Sequence, residues 1–353
     1  MAKVLMKGNE AIAEAAIAAG CRYFFGYPIT PQNQIPEYFS RRMPQVDGVY
    51  LQAESEIAAI NMVYGASGAG GRVMTSSSSP GISLKQEGIS YIAGARLPCV
   101  IANIMRGGPG LGGIQPSQSD YYQATRGGGN GDYRTIVLAP STVQEAADLT
   151  YEAFDLADQF RMPVMLLGDG FLGQMMEPVE LPAARELSSL PKKEWAAVGW
   201  ADKSRPRASI NSLHLDPVKL ELHNLDLAEV YKTLPARAAH ENTEDAEIVL
   251  TAYGVTARVA RVAMALAREQ GIKVGLVRPL TLYPFPDSEY QALASGGVCK
   301  HILVTEMSLG QMIDDVRLAL NGALPVSFYG RVGGMVPTAD ALLDEIKKIK
   351  ESL

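Results

Sequence analysis

Apolar and polar positions along residues 1–170 alternate between two kinds of segment. Short runs that are apolar at nearly every position predict buried strands, and longer alanine-rich runs interrupted by polar residues predict helices. The same alternation returns after residue 247. The pattern predicts strands over residues 4–6, 23–26, 49–52, 72–75, 98–104, 135–138, 163–167, 248–252, 273–277, 301–305 and 326–329.

Helical patterns lie between many of these strands, over residues 10–19, 57–66, 82–93, 143–157, 255–270, 288–294 and 311–320. Almost continuously apolar strands that alternate with helices are typical of parallel sheets covered by helices on both faces. We therefore expect an α/β fold with two domains. A doubly wound parallel-sheet domain would cover residues 1–187, and a smaller α/β domain would cover residues 244–353.

Residues 188–243 break the alternation, and we expect them to connect the two domains. This segment is polar and contains both tryptophans, Trp195 and Trp200, with three of the four histidines. Its one predicted helix covers residues 225–233. A linker that wraps the surface and an arm that docks onto a partner through the tryptophans both fit this composition.

Composition and charge exclude several classes of protein. The chain of 353 residues has a net charge of −6 and no basic run, which argues against nucleic-acid binding. No uncharged apolar run approaches the roughly 20 residues that a membrane-spanning helix needs. The three cysteines lie far apart without CxxC spacing, so neither an iron–sulfur cluster nor a disulfide framework is expected. We therefore expect a cytoplasmic protein.

Ligands of open parallel sheets bind where strands end at their carboxyl edge, so the loops after the strands are the places to search. The first of these loops is YPITP, Tyr27–Pro31. Its two prolines restrict the backbone to an extended or turn shape. Thr30 either caps a helix that Pro31 opens or contacts a ligand, and the two roles are compatible because a cap hydroxyl also faces the crevice.

The second loop places Glu54 and Glu56 at the start of a predicted helix. Both can be first-turn acids that complement the helix dipole, worth ~0.3–1 kcal/mol each. Alternatively, Glu56 is a buried carboxyl, because Ile57–Ile60 follow it, and a buried carboxyl suits acid–base chemistry.

The third loop, TSSSSPG at residues 75–81, is typical of a plain turn. It does not match GxSxG, and no histidine precedes His214, so a Ser–His pair within the first domain is excluded. Acid–base chemistry there must use carboxylates, arginine or the groups of a cofactor.

The fourth loop covers Met105–Asp120 and contains glycines that formally satisfy GxGxxG. Pro109 interrupts that pattern and Gln115-Pro116 stands where a helix should open, so we reject a dinucleotide-binding fingerprint. A mobile glycine-rich loop that presents Arg106 is the better interpretation. Because a guanidinium matches a carboxylate in two hydrogen bonds, Arg106 is a candidate anchor for an acid substrate.

These loops, taken together and in this order, resemble the pyrimidine-binding alpha subunit of 2-oxoacid:ferredoxin oxidoreductases. The motifs that carry the resemblance are YPITP, ESEIAAI at residues 54–60, RGGPG at 106–110 with QSD at 118–120, and RPLTLYPFP at 278–286. The resemblance covers nearly the whole chain. Residues 53–91 look most like the branched-chain enzyme, which acts on 2-oxoisovalerate (3-methyl-2-oxobutanoate).

The resemblance implies a thiamine diphosphate pyrimidine-binding domain followed by a domain like the transketolase C-terminal domain. It implies a subunit of an enzyme that oxidatively decarboxylates a branched-chain 2-oxoacid to acyl-CoA and CO2 while reducing ferredoxin. Glu56 would hydrogen-bond the aminopyrimidine ring nitrogen of thiamine diphosphate. Thr30 and Arg106 would bind the substrate, and the cofactor-binding loop would comprise Tyr27, Pro28 and Ile29.

The resemblance also implies that other chains complete the enzyme. A thiamine diphosphate enzyme would follow GDG with an asparagine 25–30 residues later, and Gly168–Gly170 lacks that asparagine, which favours a strand-end turn. We therefore expect the diphosphate and Mg²⁺ site, and the 4Fe-4S clusters, on partners. The implied partners are a thiamine diphosphate/Mg-binding subunit, a gamma subunit, a ferredoxin-like subunit and ferredoxin, and the isolated chain should be inactive.

Three alternatives stay open. A 2-oxoglutarate enzyme would need a second cation for the distal carboxylate, and the loops offer Arg106 clearly and Lys85 less so, which favours an uncharged side chain. The beta chain of the first component of an NAD-linked 2-oxoacid dehydrogenase shares the domain architecture. A non-catalytic scaffold subunit is the third alternative.

Overall fold

The computed structural model describes residues 3–200, 203–204 and 207–353. Within these ranges the strands form a seven-stranded sheet, a five-stranded sheet and one antiparallel pair. The strands are β1 (Val4–Lys7), β2 (Tyr23–Gly26), β3 (Val49–Gln52), β4 (Val73–Ser77), β5 (Cys99–Met105), β6 (Ile136–Leu138), β7 (Pro163–Asp169), β8 (Met176–Val179), β9 (Ala238–Glu241), β10 (Ile248–Thr251), β11 (Val274–Pro279), β12 (Thr281–Tyr283), β13 (His301–Glu306) and β14 (Val326–Gly330).

The helices connect these strands and cover both faces of the two larger sheets. They are α1 (Gly8–Ala18), α2 (Gln34–Arg42), α3 (Glu56–Gly68), α4 (Ser79–Gly94), α5 (Tyr121–Arg126), α6 (Val143–Phe160), α7 (Gly170–Gln174), α8 (Pro217–Lys232), α9 (Gly254–Glu269), α10 (Asp287–Ser295), α11 (Met312–Leu320) and α12 (Ala339–Ser352). Short 3-10 helices cover Met43–Val46 and Leu187–Ser189. None of the described helices combines the length and apolar character needed to cross a bilayer.

The seven-stranded sheet has the order β12-β6-β7-β5-β4-β2-β3 and is parallel except at β12. Side chains along β5 alternate between two cores: Ile101 packs in the core that includes residues of α3 and α4, and Val100 in the core that includes residues of α1, α2 and α6. This alternation is what a strand buried on both faces requires. The predicted α/β class and doubly wound sheet are confirmed.

The five-stranded sheet has the order β14-β13-β10-β11-β9, with β9 antiparallel at its edge. Helices α9 and α12 share a core with one of its faces. Its other face belongs to the same core as α3 and α4, and that core includes the buried Tyr121, Tyr253 and Tyr290. The two sheets are therefore joined by one continuous apolar core.

The pattern did not predict β8, β9, α5, α7 and α12. Three further elements also depart from it. The first strand, β1, lies outside the main sheet and pairs with β8. Strand β12 comes from the second half of the sequence but pairs with β6 at the edge of the first sheet. Helix α8 begins at Pro217, eight residues before the predicted start at 225, because Asp216 caps it and Pro217 suits the first helical position.

Around Trp195 and Ala197, the described part of the segment before α8 lies against the body of the protein. The ring of Trp195 packs under the Arg161 guanidinium, with 4.5 Å between the guanidinium carbon and the ring centre. The amide of Ala197 donates to the carbonyl of Gly68 at the end of α3. Trp200 is half exposed. Trp195 thus anchors a wrapping segment, while Trp200 remains accessible.

Candidate active site

The loops that follow β3, β2, β4 and β5 lie side by side at one edge of the seven-stranded sheet. These four strands are consecutive neighbours and parallel, so their carboxyl ends open onto the same edge. All four loops singled out in the sequence therefore meet there.

Glu56 is buried at the first turn of α3. Ser55 caps this helix by accepting a hydrogen bond from the Ala58 amide at 3.2 Å. Glu56 is 6% exposed, whereas Glu54 is exposed. The two glutamates are therefore not equivalent first-turn acids.

The carboxyl of Glu56 faces the first turn of α4 at Gly81. A Cβ at Gly81 would lie 2.6 Å from Oε1 of Glu56 and 2.1 Å from Oγ of Ser77. The position therefore has no room for a side chain. Oγ of Ser77 is buried and has no hydrogen-bond partner among the described residues. A buried carboxyl and an unpaired hydroxyl thus flank the same glycine.

Lys85 lies one helical turn further along α4 and is fully buried. Its Nζ donates to the backbone carbonyl of Glu56 at 3.4 Å. Burial lowers the pKa of Lys85 to about 8, although the nearby Glu56 opposes this shift. The sequence suggested Lys85 only as an uncertain cation and did not indicate its burial beside Glu56.

Arg106 and Thr30 are brought together, but the Arg106 guanidinium is held by protein carbonyls. Nη1 donates to the carbonyl of Thr30 at 3.0 Å, and Nη2 donates to the carbonyl of Leu111 at 3.1 Å. Arg106 is 6% exposed, and its Nε is buried without a partner among the described residues. Two of its five N–H donors are therefore engaged by carbonyls, one on each Nη atom.

The YPITP loop differs from its predicted capping role. The residue at the N-cap of α2 is Asn33, and the helix begins at Gln34, so Thr30 does not cap a helix opened by Pro31. The Thr30–Pro31 peptide bond is cis. Thr30 is exposed, as is Pro28.

Gln32 fixes the backbone of this loop from inside. It is fully buried, and its side chain donates to the carbonyl of Tyr27 at 3.2 Å. The amide of Gln32 donates to the carbonyl of Ile29, and the Ser76 hydroxyl donates to the Gln32 side chain. The loop that contains Tyr27, Pro28 and Ile29 is thereby tied to β4.

A cavity of about 540 Å³ opens beside Thr30. Its walls are the YPITP loop, the glycine-rich loop after β5 and helix α7, including Pro31, Ile114, Pro116 and Phe171. The described residues that line it are all uncharged. Glu56 is not one of them, so the carboxyl and the cavity occupy different parts of the same edge.

A buried polar network that the sequence did not reveal holds the backbone of Arg106. Asp120 accepts hydrogen bonds from the Ser79 hydroxyl at 2.6 Å and the Asn103 amide at 2.9 Å. Oγ of Ser79 in turn accepts from the backbone amide of Arg106 at 3.0 Å. Burial raises the pKa of Asp120. The QSD motif was the sequence signal for this network, but its partners lie on other elements.

Asp169, in the GDG segment, acts as a cap, which agrees with the turn interpretation. Its carboxyl accepts hydrogen bonds from the amides of Phe171 and Leu172 in α7 and of Val255 in α9. Burial raises the pKa of Asp169. Across the described residues, no group of three or more His, Cys, Asp or Glu side chains is arranged to hold a metal ion.

Comparison with known proteins adds two family matches. The family described as pyruvate flavodoxin/ferredoxin oxidoreductase, thiamine diphosphate-binding, matches residues 14–220. The family described as pyruvate:ferredoxin oxidoreductase core domain II matches residues 246–342.

Curated relatives are similar along nearly the full chain. Ketoisovalerate oxidoreductase subunit VorB of Methanothermobacter thermautotrophicus is 49% identical over 352 residues, which cover 99% of this chain and 98% of the relative. The 2-oxoglutarate synthase subunit KorA of the same organism is 36% identical, with 98% of each chain covered.

A solved structure shares the fold. It is 2-oxoglutarate:ferredoxin oxidoreductase from Magnetococcus marinus with 2-oxoglutarate, coenzyme A and succinyl-CoA bound. The similarity has a TM-score of 0.84 at 26% identity and covers 98% of this chain but 65% of that chain.

Proposed function

Because the chain belongs to the pyruvate flavodoxin/ferredoxin oxidoreductase family, whose first domain binds thiamine diphosphate, we propose that it is the pyrimidine-binding subunit of an oxidoreductase acting on 2-oxoisovalerate. In this proposal the assembled enzyme oxidatively decarboxylates the 2-oxoacid, transfers the acyl group to coenzyme A and reduces ferredoxin. The observation that carries the site assignment is the buried carboxyl of Glu56 beside Gly81.

The residues around Glu56 fit an aminopyrimidine ring. The missing side chain at Gly81 lets the Glu56 carboxyl and the unpaired hydroxyl of Ser77 reach the same turn, so two polar groups are available to the ring at one place. A carboxyl there can hold a proton at its Oε atoms or accept one from a ring nitrogen. Thiamine diphosphate held by Glu56 and Ser77 would supply the nucleophilic carbon and the electron sink that decarboxylation of a 2-oxoacid needs.

Thr30 and Arg106 are proposed to hold the substrate. The N–H groups of Arg106 that the two carbonyls do not engage are left for the substrate carboxylate, and the exposed Thr30 lines the cavity. The network of Asp120 and Ser79 fixes the Arg106 backbone, so the guanidinium is oriented before substrate arrives.

The cavity supports an uncharged substrate side chain. Its lining includes Ile114, Pro116 and Phe171 and no charged residue among those described. An isopropyl group would be buried there favourably, whereas a second carboxylate would lose water without gaining a cation. This favours 2-oxoisovalerate over 2-oxoglutarate.

Partner chains are part of the proposal. In it a thiamine diphosphate/Mg-binding subunit holds the diphosphate end of the cofactor, a gamma subunit and a ferredoxin-like subunit complete the assembly, and 4Fe-4S clusters carry electrons to ferredoxin. The chain on its own is then half of an active site, and we expect no turnover from it.

The test is a comparison of substrates in the assembled enzyme. The complex is purified with its partners, and coenzyme A-dependent reduction of viologen is followed with each 2-oxoacid. We expect kcat/KM for 2-oxoisovalerate to exceed that for 2-oxoglutarate by about tenfold or more. A preference for 2-oxoglutarate would make the chain a subunit of the 2-oxoglutarate enzyme. Reduction of lipoamide instead of viologen, or turnover by the isolated chain, would contradict the proposal.

A further inference from the structure

Lys85 is enclosed between α3 and α4 at the level of Glu56. On α4, Gly81, Lys85 and Gly88 stand four and then three residues apart and share one face. Gly81 faces the carboxyl of Glu56 and Gly88 faces the side chain of Ile60, both on α3. Lys85, between the two glycines, therefore faces the first turn of α3, where its Nζ lies 3.4 Å from the Glu56 carbonyl oxygen.

Burying the Lys85 ammonium between the two helices is unfavourable for the stability of the fold. An ammonium has three N–H donors, and the described residues give it one long hydrogen bond. Burial favours the neutral amine and lowers the pKa of Lys85 to about 8. A methionine would fill similar space without this penalty. Buried ionisable groups whose pKa is shifted in this way are concentrated at functional sites.

We propose that Lys85 is a positioning residue for Glu56. Its amine fixes the first turn of α3 through the Glu56 carbonyl, and its positive charge favours the ionised Glu56 carboxyl. This inference rests on the proposed function, in which Glu56 exchanges a hydrogen-bonded proton with the pyrimidine ring. Removing the amine would take away both the hydrogen bond to the Glu56 carbonyl and the charge that favours the ionised carboxyl.

Other titratable groups on the surrounding elements have their own partners or lie away from the pair. On α4, the exposed Glu87 accepts a hydrogen bond from the Tyr91 hydroxyl. Beyond β5, Asp120 is held by Ser79 and Asn103, and Arg106 by two carbonyls. On α3, Tyr64 is partly buried in the third turn. Glu56 is the charged group whose electrostatic interaction affects the pKa of Lys85.

The test compares three substitutions of Lys85 with one matched control. Lys85→Met removes the amine, Lys85→Gln keeps a donor for the Glu56 carbonyl without the charge, and Lys85→Arg keeps the charge. The control is Lys193→Met. Lys193 is 10% exposed, is paired with Asp158 at 2.6 Å and lies near Gly70, beyond the opposite end of α3.

In the assembled enzyme, the readout is kcat as a function of pH with saturating 2-oxoisovalerate. We expect the acid limb to move up by about one to three pH units in the Met and Gln variants. KM should stay within about twofold, since Lys85 does not line the cavity. Lys85→Arg should restore the limb toward its original position, and Lys193→Met should leave it unchanged.

A second readout uses the full chain without partners or cofactor. The infrared band of a protonated carboxyl is compared between each variant and the same variant with Glu56→Gln, which isolates the contribution of Glu56. We expect this band to appear at higher pH in Lys85→Met and Lys85→Gln than in the unmodified chain. If circular dichroism shows that Lys85→Met does not fold, the inference is judged from the pH profile and the infrared titration of Lys85→Gln.

The outcomes separate this inference from the proposed function. If Glu56→Gln abolishes turnover while the Met and Gln variants keep the original pH profile and infrared titration, Lys85 has no positioning role and the proposed function stands. If Glu56→Gln leaves turnover intact, the proposed function fails. The infrared readout does not depend on turnover. If the Glu56 band of the Lys85→Met and Lys85→Gln variants appears at the same pH as in the unmodified chain, the positioning role of Lys85 is overturned even when the proposed function has failed.

Discussion

Glu54 and Glu56 stand two residues apart, yet the fold gives them different environments. Both precede or begin α3, and the sequence pattern allowed both as acids that complement the helix dipole. Glu54 is exposed, whereas Glu56 is buried against Gly81. Burial and the missing Cβ at Gly81 support Glu56, and not Glu54, as the proposed site residue, and this difference can be tested directly.

Replacing each glutamate by glutamine should separate the two roles. In the assembled enzyme, Glu56→Gln is expected to lower kcat by ~10²–10⁴, because the amide cannot exchange the proton that the carboxyl holds. Glu54→Gln should keep kcat near its original value, because the side chain is exposed. Viologen reduction measures both. Equal effects of the two substitutions would remove Glu56 from the reaction.

The sequence indicated where residues that follow a strand lie, but not which residues of distant elements become their partners. Thr30 and Arg106 were expected in one crevice and are indeed in contact through the Thr30 carbonyl. The pattern did not reveal that two carbonyls already engage the Arg106 fork. Nor did it reveal the burial of Lys85, because α3 and α4 must be packed before that position loses water.

At the scale of elements, α3 and α4 pack closely because glycines of α4 face α3. A Cβ at Gly88 would lie 2.4 Å from Cγ2 of Ile60 and 3.2 Å from its Cβ. The Ile60 side chain is branched close to its backbone, so it cannot move aside easily. Gly65, on the exposed face of α3, has no atom within 4 Å of a built Cβ. The two glycines therefore have opposite consequences for stability.

Alanine substitutions of these two glycines test the packing. Gly88→Ala should destabilise the chain by about 1–3 kcal/mol, because the added methyl overpacks the contact with Ile60. Gly65→Ala should stabilise it by about 0.5–1 kcal/mol, because alanine is the better helix former and has open space there. Urea unfolding of the isolated chain measures both. A stabilised Gly88→Ala variant would show that the helices are less tightly packed.

Most elements could be predicted because their apolar period is local. The bounds of β2 and β3 match the predicted ranges, and α6 begins at the predicted Val143, where Thr142 caps it. Strand β12 was missed because three residues carry no period, and their pairing with β6 depends on a chain segment far away in sequence. The α8 helix was predicted too short because its exposed leucines do not form a buried face.

At the scale of the whole molecule, the two halves are tied together at several places. Strand β12 completes the first sheet, and the Gln118 side chain accepts from the amide of Met307 and donates to the carbonyl of Tyr253. The Arg278 guanidinium donates two hydrogen bonds to the carboxyl of Glu145 at the start of α6, at 2.9 and 2.6 Å. The RPLTLYPFP motif thus joins the halves, a role that the sequence did not indicate.

The pair of Arg278 and Glu145 predicts how stability depends on pH. Burial works against ionisation of Glu145, but the Arg278 guanidinium prevails and holds the pKa of that carboxyl below its ordinary value of 4.5. A carboxyl whose pKa is lower in the folded state stabilises the fold fully above its unfolded pKa. That contribution disappears as the pH falls through the folded pKa.

Arg278→Met should therefore lower the free energy of unfolding at pH 7 by about 2 kcal/mol or more, because it leaves Glu145 without its cation. The difference from the unmodified chain should narrow as the pH falls below 4.5, since protonated Glu145 no longer needs the guanidinium. Lys348→Met, which removes an exposed pair with Glu345, is the control and should have little effect at either pH. Urea unfolding at neutral and acid pH measures these differences. Arg278→Met could instead lower the free energy of unfolding by the same amount at neutral and at acid pH. That result would mean that the aliphatic packing of Arg278, and not its charge, joins the two halves.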